Sequence, residues 1–270
     1  MGAAVGAALT QRGHTVQWLP AGRSDATRAR ASAAGLTDSD GLRSLVASSD
    51  VIVSVVPPEA ATAVVGDVVG AGFAGLYVDA NAIAPATSRA ISRMVSDAGG
   101  EFVDGGIIGG PPRVRGETRL FLSGPRAGVV ASLFDDSTFE AVCLGDAYGA
   151  ASAMKAAYAA YTKGGGALLM AVRAYARTEG VETDLLAEWA RSQPGLQARS
   201  EGAARLHAPK AWRFSAELRE IADAFDDAGV PGGFFTAAAD VTDRLGRFKD
   251  RAAIDPDEVF DALRAEPREE

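Results

Sequence analysis

The feature that most constrains the fold is a change of pattern near residue 147 of this 270-residue chain. Before it, short runs rich in β-branched residues alternate with alanine-rich stretches of helical spacing. The short runs predict strands at Thr15–Leu19, Val51–Val56, Leu76–Asp79, Glu101–Ile107, Arg119–Ser123 and Phe139–Leu144. The stretches between them predict helices at Ala3–Arg12, Asp25–Ala34, Asp40–Ala47, Ala60–Val69 and Thr87–Ala98. Such alternation is typical of right-handed βαβ units around a mostly parallel sheet.

Beyond residue 147 the strand pattern stops and only helical spacing remains. The predicted helices are Tyr148–Thr178, Asp184–Ser192, Lys210–Ala228, Gly232–Phe248 and Asp255–Leu263. The sequence therefore predicts an α/β domain over residues 1–147 and an all-α domain over residues 148–270. We expect the charged tail, residues 264–270, to be frayed.

The first residues look like the second half of a dinucleotide-binding turn. A Gly-x-Gly-x-x-Gly turn follows a buried strand and opens a helix. Gly2 fits the last glycine of that turn, and Ala3–Leu9 fits the small-residue face of the helix. The expected N-terminal domain is therefore Rossmann-like, with its first strand missing from the chain as written. We expect the true start to lie upstream of Met1, although loss of the cofactor site would leave the same pattern.

Composition and charge exclude several classes of function. With 47% hydrophobic residues, the chain is a compact globular protein, and its net charge of −8 argues against general nucleic-acid binding. No apolar run approaches the roughly 18–20 residues that span a bilayer. The single cysteine, Cys143, excludes an intramolecular disulfide and suits a cytoplasmic location. His14 and His207 lack partners at ligand spacing, so we expect no metal.

The segment after the predicted strand Thr15–Leu19 points to the form of the cofactor. Sites that bind NAD place a carboxylate there to hold the ribose 2′-hydroxyl. This chain instead has Arg23 and Ser24, which suit a 2′-phosphate through a charge-assisted contact and a hydroxyl. The pattern favours NADP(H). The alternative is that Arg23 is a solvated loop cation.

Two further strand ends carry candidate ligand-binding residues. Ligands of open α/β sheets bind at the carboxyl ends of the strands. Val55 and Pro57 follow one strand, where we expect them to line the pyrophosphate and ribose, although Pro57 is also a simple strand stop. Asn81 follows the next strand, where its amide suits the nicotinamide ribose or a substrate oxygen. An asparagine before a helix is equally typical of a cap.

A glycine-rich segment, Asp104–Pro112, follows as a candidate substrate loop. Its glycines allow the backbone to approach a ligand closely, and exposed backbone amides bind carboxylates. We expect Gly109 and Gly110 to hold a substrate carboxylate. A structural turn is the alternative reading for two of the glycines.

Lys155 is the candidate acid or base. Its sequence neighbours are almost all small or apolar, and it lies near the predicted domain junction. Tyr158, Thr162 and Lys163 fall on adjacent helix faces. A snorkelling lysine on a solvated helix gives the same pattern. The run Gly164–Gly166 interrupts an otherwise good helix, which indicates a kink or the close approach of another group.

Taken in order, these motifs resemble the β-hydroxyacid dehydrogenase superfamily, which includes 6-phosphogluconate dehydrogenase-like and 3-hydroxyisobutyrate dehydrogenase-like enzymes. The resemblance spans nearly the whole chain and rests on this series: Gly2 to Leu9, Gly13-His14-x-Val16, Val55-Val56-Pro57, Asp79-Ala80-Asn81 with Pro85, Asp104–Gly110 and Lys155. It implies that Lys155 is the general acid/base, that Gly109-Gly110 holds a substrate carboxylate, and that Asn81 lies near the nicotinamide ribose.

Two departures leave the substrate open. The superfamily commonly has a serine where this chain has Ile108, and an asparagine where it has Tyr158 or Ala159. The expected function is an NADP(H)-dependent oxidoreductase acting on a small hydroxy acid or its keto form, with Tyr158 or Asn81 orienting the oxygen. We also expect a homodimer. The alternatives are an imine-reductase-like NADPH enzyme and a catalytically dead dimeric binding protein.

Overall fold

A computed structural model describes residues 1–264. The remaining tail, residues 265–270, for which fraying was expected, lies outside the described residues. Contacts divide the chain into two compact units, Met1–Ala156 and the residues from Ala157 onward. The first is α/β and the second is helical over the residues described, which confirms the predicted fold class.

The first unit alternates strands and helices. Its strands are β1 (Gln17–Trp18), β2 (Thr37–Asp38), β3 (Val51–Ser54), β4 (Leu76–Asp79), β5 (Glu101–Ile108), β6 (Thr118–Ser123) and β7 (Phe139–Cys143). Its helices are α1 (Gly2–Gln11), α2 (Asp25–Ala33), α3 (Leu42–Ala47), α4 (Ala61–Gly70), α5 (Pro85–Asp97), α6 (Ala127–Leu133) and α7 (Ala150–Ala159), and α7 continues across the division into the second unit.

The strands form two sheets. β1 and β2 make a parallel pair, and the other strands form a five-stranded sheet in the order β3-β4-β5-β6-β7. Within the larger sheet β3, β4 and β5 run parallel, whereas β6 is antiparallel to β5. A hairpin loop joins β5 to β6, and a loop of this kind connects antiparallel strands without a crossover helix. The expectation of a mostly parallel sheet holds for every neighbouring pair except this one.

Apolar side chains cover both faces of the five-stranded sheet. One core cluster includes Val5, Val78 and Leu122, and the other includes Val65, Tyr77 and Phe102. Since Tyr77 and Val78 are neighbours on β4, they point to opposite faces. This two-sided burial explains the nearly continuous apolar runs in the sequence.

The second unit is built from helices. They are α8 (Gly165–Thr178), α9 (Glu182–Ser192), α10 (Leu196–His207), α11 (Ala211–Asp227), α12 (Gly233–Asp243) and α13 (Pro256–Ala262). A π-helical turn, Ala160–Gly164, leads into α8 where the sequence predicted an interruption. A core that includes Met170, Leu245 and Phe260 joins several of these helices.

The structure corrects three features of the predicted element pattern. β2, α6 and α10 were not predicted: β2 is only two residues long and exposed, and α10 carries arginine, serine and glycine at many positions. Gly105 and Gly106 belong both to the predicted strand Glu101–Ile107 and to the candidate loop Asp104–Pro112, and they lie inside β5. They are needed there because added Cβ atoms would meet the Asp79 carbonyl oxygen at 2.8 Å and the Ala151 carbonyl oxygen at 2.6 Å, respectively.

Candidate functional site

A row of buried polar side chains crosses the sheet at the level of the carboxyl ends of β3 and β4. Ser54 of β3 pairs in register with Asp79 of β4, and Asp79 pairs with Asp104 of β5. The row continues on β6, where Ser123 pairs with Asp104. None of these four residues is more than 5% exposed. The side chains share one face of the sheet because cross-strand partners point to the same side.

Asn81 connects the ends of β3 and β4. Its Oδ1 accepts a hydrogen bond from the backbone amide of Val56 at 2.6 Å. Its Nδ2 donates to Ser54 Oγ at 3.0 Å and to Asp79 Oδ2 at 2.9 Å, while its backbone amide donates to Asp79 Oδ1 at 3.0 Å. The side chain is 3% exposed, so its amide serves to fix the two strand ends.

Burial controls the charge state of Asp79. The loss of solvent raises the pKa of its carboxyl to about 6, and the hydrogen bonds from Asn81 lower it only in part. The neighbouring carboxylate of Asp104 raises the pKa of Asp79 further. Burial and the nearby Asp104 carboxylate therefore both disfavour the ionised form of Asp79.

Lys155 lies against the backbone of β5. Its Nζ donates to the carbonyl oxygen of Ile107 at 2.6 Å, and the side chain is partly buried. β3 and β4 end at the level of Asp104, whereas β5 continues past Asp104 to Ile107. The amine bound to Ile107 therefore lies beyond the carboxyl ends of β3 and β4. The close approach of α7 depends on Gly106, where an added Cβ would be 3.1 Å from Lys155 Cβ.

The loop after β5 has a defined shape. Gly109 has a φ of +127°, and an added Cβ would lie 2.6 Å from Thr118 Oγ1. Thr118 Oγ1 donates to the Gly110 carbonyl oxygen at 2.5 Å, and the carboxylate of Glu117 accepts from the backbone amide of Arg113 at 2.7 Å. Gly110 has open space around its Cα. The backbone at Gly109-Gly110 is therefore fixed from one side and accessible from the other.

The N-terminus of α1 lies beside the end of β3. A Cβ added to Gly2 would be 3.8 Å from Val55 Cβ, and no side chain caps the helix. Further along α1, a Cβ at Gly6 would be 2.7 Å from Leu36 Cδ1, so a larger residue there would displace the Leu36 side chain. An uncapped helix N-terminus next to the carboxyl end of a parallel strand fits a pyrophosphate group. The residues present therefore fit a dinucleotide.

Arg23 and Ser24 lie at the N-terminus of α2. Ser24 is the N-cap, and its Oγ accepts from the Thr27 backbone amide at 3.4 Å. Arg23 is exposed, as are Arg28 and Arg30 of the same helix. Arg23 and the N-terminus of α2 are thus neighbours at the position predicted for a 2′-phosphate.

The second unit contains the other residues singled out from the helical half. Tyr158 is 46% exposed, and Thr162 Oγ1 donates to its carbonyl oxygen at 3.1 Å. Lys163, in the π-helical turn, pairs with Glu217 of α11. His207 packs against Gly166, where an added Cβ would lie 2.1 Å from His207 Cε1. Close packing of the imidazole explains Gly166, and the ring of Phe235 limits Gly164, whereas a Cβ at Gly165 would meet nothing within 4 Å.

The described residues show neither a group of metal ligands nor a membrane-spanning helix. Among residues 1–264, no three His, Cys, Asp or Glu side chains are grouped so that they could hold a metal ion. In the same range, no helix has both the length and the apolar character that a membrane crossing requires.

The serines around Asp104 were not singled out from the sequence. Ser88 of α5, Ser123 of β6 and Ser152 of α7 all bond to this one carboxylate. Each is separated from Asp104 by many residues, so only strand pairing and helix placement bring them together. The available signal was an acidic residue inside an apolar strand, since a buried carboxylate needs hydrogen-bond donors.

Comparison with known families matches most of the chain. Residues 1–143 match a family model described as the NAD binding domain of 6-phosphogluconate dehydrogenase. Residues 176–245 match one described as a domain of unknown function (DUF1932). An uncharacterized 28.5 kDa protein in the 7S RNA 5′ region of Methanothermus fervidus is 30% identical over 171 residues. That match covers 63% of this chain and 65% of the relative, which is less than two thirds of its length.

Solved structures share the fold along nearly the whole chain. A conserved protein of unknown function with structural similarity to 3-hydroxyacid dehydrogenases is 28% identical, with a TM-score of 0.69 over 91% of this chain and 93% of its own. The Mycobacterium tuberculosis 3-hydroxyisobutyrate dehydrogenase with L-serine is 20% identical, with a TM-score of 0.69 over 98% and 96%. An imine reductase from Streptomyces aurantiacus is 22% identical, with a TM-score of 0.54 over 98% and 96%.

Proposed function

The chain belongs to the family of the 6-phosphogluconate dehydrogenase NAD-binding domain, and on this premise we propose that it is an NADP(H)-dependent oxidoreductase of small hydroxy acids or their keto forms. The observation that carries the proposal is the Lys155 amine, bound to the Ile107 carbonyl oxygen of β5 beyond the carboxyl ends of β3 and β4. In sheets of this kind, that edge is where ligands bind.

The cofactor would bind along the β3 edge. Gly2, at the uncapped N-terminus of α1, together with Val55 and Pro57, would hold the pyrophosphate and ribose. Arg23 and Ser24 would hold the 2′-phosphate that distinguishes NADP(H) from NAD(H). When bound, the nicotinamide ring supplies or accepts the hydride.

The protein's own contribution is to hold the substrate and to move a proton. The backbone amides at Gly109 and Gly110 would bind the substrate carboxylate. Lys155 Nζ would take the hydroxyl proton during oxidation and return it to the carbonyl oxygen during reduction. Its hydrogen bond to the Ile107 carbonyl oxygen keeps the amine at the strand edge.

Asn81 and Tyr158 were predicted to orient the substrate oxygen. The Asn81 amide binds Val56, Ser54 and Asp79, so in our proposal it acts by fixing the ends of β3 and β4 relative to each other. Tyr158 is half exposed and belongs to the second unit, and its contact with the substrate oxygen stays a prediction.

The experiment that tests the function follows absorbance at 340 nm with a panel of short 2- and 3-hydroxy acids and NADP⁺. Lys155→Met should lower turnover by about 10²–10⁴-fold and leave NADPH binding unchanged. Retention of wild-type turnover by Lys155→Met would overturn the acid/base assignment. A matched control is Lys249→Met, which removes an exposed lysine of the second unit.

An imine-reductase-like activity is the second candidate, because Ile108 is 2% exposed and offers no hydroxyl to a substrate carboxylate. Replacing the hydroxy acids by their methyl esters separates the two. A hydroxy acid dehydrogenase loses most of its activity on the esters, whereas an imine reductase reduces 1-pyrroline with NADPH and needs no carboxylate. A catalytically dead binding protein would show neither activity and no thermal stabilisation by NADPH.

We propose in addition that the protein is a homodimer. Leu168, Val172 and Tyr175 lie at i, i+4 and i+7 on α8 and form one apolar stripe. Leu168 is 48% exposed and Tyr175 is 67% exposed. Large exposed apolar side chains grouped in this way are typical of protein–protein interfaces.

A further inference from the structure

The buried Asp104 carboxylate accepts four hydrogen bonds. Ser88 Oγ donates to Oδ1 at 2.8 Å and Ser123 Oγ donates to Oδ2 at 3.0 Å. Ser152 contributes two bonds, from its backbone amide to Oδ2 at 3.0 Å and from its hydroxyl to Oδ1 at 2.6 Å. Asp104 and the three serines are all fully buried. A carboxylate with this many donors is fixed in one orientation.

Two of these four hydrogen bonds come from Ser152, at the beginning of the helix that carries Lys155. Ser152 is in the first turn of α7, and the neighbouring Ala151 amide donates to Ser123 Oγ at 3.1 Å. Backbone amides at a helix N-terminus have no partner within the helix, and a carboxylate there also interacts favourably with the helix dipole. Asp104 and Ser123 of the sheet therefore cap the N-terminus of α7.

The same first turn determines where the lysine lies. Ala151 and Lys155 are four residues apart and share the helix face that contacts Gly106. A shift of α7 along or around its axis would move Lys155 Nζ away from the Ile107 carbonyl oxygen. The Asp104–Ser152 contact opposes such a shift because it uses both carboxylate oxygens and two donors of one residue.

On the proposed function, in which Lys155 moves the proton, we propose that Asp104 is a positioning residue that holds the lysine in place through Ser152. In this proposal Asp104 acts through the helix and not on the reacting atoms. It acts by holding the first turn of α7 against β5 through the two hydrogen bonds from Ser152.

The chain offers a matched pair of variants. Ser152→Ala and Ser88→Ala each remove one buried hydroxyl that donates to Asp104 Oδ1. Only Ser152 belongs to α7, whereas Ser88 belongs to α5. If Asp104 has only a general structural role, the two variants should affect Lys155 equally. If Asp104 positions Lys155 through α7, only Ser152→Ala should affect Lys155. Ser152→Thr keeps the hydroxyl and serves as the rescue variant.

The readout is the reaction of lysine amines with acetic anhydride between pH 7 and 10, measured by mass spectrometry with Lys249 as the internal standard. We expect Ser152→Ala to change the relative labelling rate of Lys155 at least fivefold. Ser88→Ala should stay within twofold of wild type, and Ser152→Thr should restore the wild-type rate. Equal effects of Ser152→Ala and Ser88→Ala, or no effect of Ser152→Ala, would overturn the proposal.

Turnover separates this proposal from the proposed function. With a hydroxy acid turned over by the wild-type protein, Ser152→Ala should lower kcat about tenfold and keep KM within twofold, because the substrate carboxylate is bound elsewhere. If Lys155→Met retains activity, the proposed function fails, while the labelling experiment still decides whether Asp104 positions the amine. Thermal unfolding of each variant verifies that it is folded.

Discussion

Asp79 and Asp104 stand directly opposite each other on the parallel strands β4 and β5, and neither side chain has exposed surface. The two carboxyls nevertheless have different partners. Asp79 bonds to Asn81, at the end of its own strand, whereas Asp104 bonds to donors from β6 and two helices. The row of buried polar side chains therefore connects two parts of the sheet. Asn81 and Val56 lie at one end, on the expected cofactor side, and the helix that carries Lys155 lies at the other.

Asp79 should make the stability of the first unit depend on pH. Its folded pKa of about 6 lies above the ordinary value of 3.8, so the folded protein favours the protonated form. The stabilisation is complete below about pH 4 and is lost as the pH rises through 6, and it amounts to about 3 kcal/mol. Urea unfolding across pH 4–7.5 measures the free energy of unfolding of wild type and of Asp79→Asn. The difference between the two should fall as the pH rises.

The matched control for this experiment is Asp97→Asn, because Asp97 is exposed at the end of α5. It should leave the pH dependence of unfolding unchanged. Asp79→Asn should also lose one hydrogen bond from Asn81, because the two nitrogens of Asn81 donate to different carboxyl oxygens and an amide keeps only one acceptor oxygen. A pH dependence equal to that of wild type in Asp79→Asn would contradict the prediction.

The sequence predicted the elements better than the contacts between them. The period of the apolar runs located five of the seven strands closely, because strands buried on both faces are apolar throughout. The register that sets Asp79 beside Asp104 is a property of strand pairing, which no local pattern encodes. The need for glycine at Gly105 and Gly106 was hidden for a related reason, because it comes from Ala80 and α7, which are distant in sequence.

His207 should make stability depend on pH in the direction opposite to Asp79, so that stability falls as the pH is lowered. Burial, with help from the charges of Lys163 and Lys210, lowers the pKa of its imidazole to about 4, so the folded protein favours the neutral form. Its contribution of about 3 kcal/mol is present above pH 6.5 and is lost as the pH falls toward 4. Unfolding of His207→Gln by urea should depend less on pH in this range. The exposed His14 provides the control, and His14→Gln should retain the wild-type pH dependence.

Gly106→Ala should damage the site while most of the fold survives. The new Cβ would lie 2.6 Å from the Ala151 carbonyl oxygen, so α7 must move away from β5 and take Lys155 with it. Overpacking of this kind costs about 1–3 kcal/mol, and a displacement of about 1 Å in a catalytic group lowers turnover about 100-fold. Thermal unfolding and steady-state turnover measure the two effects.

The control for that variant is Gly128→Ala, in the exposed part of α6 with open space around its Cα. It should raise stability by up to about 1 kcal/mol, because alanine is the better helix former, and leave turnover unchanged. If Gly106→Ala has wild-type turnover, α7 does not need its close contact with β5.

Arg23→Ala should change the choice of cofactor. In our proposal the guanidinium contacts a 2′-phosphate, which only NADP(H) carries. Loss of one such contact should raise the Kd of NADPH about tenfold and leave the Kd of NADH unchanged, which corresponds to about 1.4 kcal/mol. Fluorescence titration with both cofactors measures the difference. Arg93→Ala, on the exposed side of α5, is the control, and equal weakening of both cofactors by Arg23→Ala would argue against a 2′-phosphate site.

Leu168→Glu should separate the proposed homodimer into monomers. The substitution places a charge in the apolar stripe that Leu168 forms with Val172 and Tyr175 on α8, and burying an unpaired charge in an interface costs several kcal/mol. Leu206→Glu is the matched control, because Leu206 is 62% exposed on α10 and lies outside the stripe. Light scattering coupled to size-exclusion chromatography should give the mass of a dimer for wild type and Leu206→Glu, and that of a 27.7 kDa monomer for Leu168→Glu. A monomeric wild type would disprove the dimer, and a dimeric Leu168→Glu would place its interface on another surface.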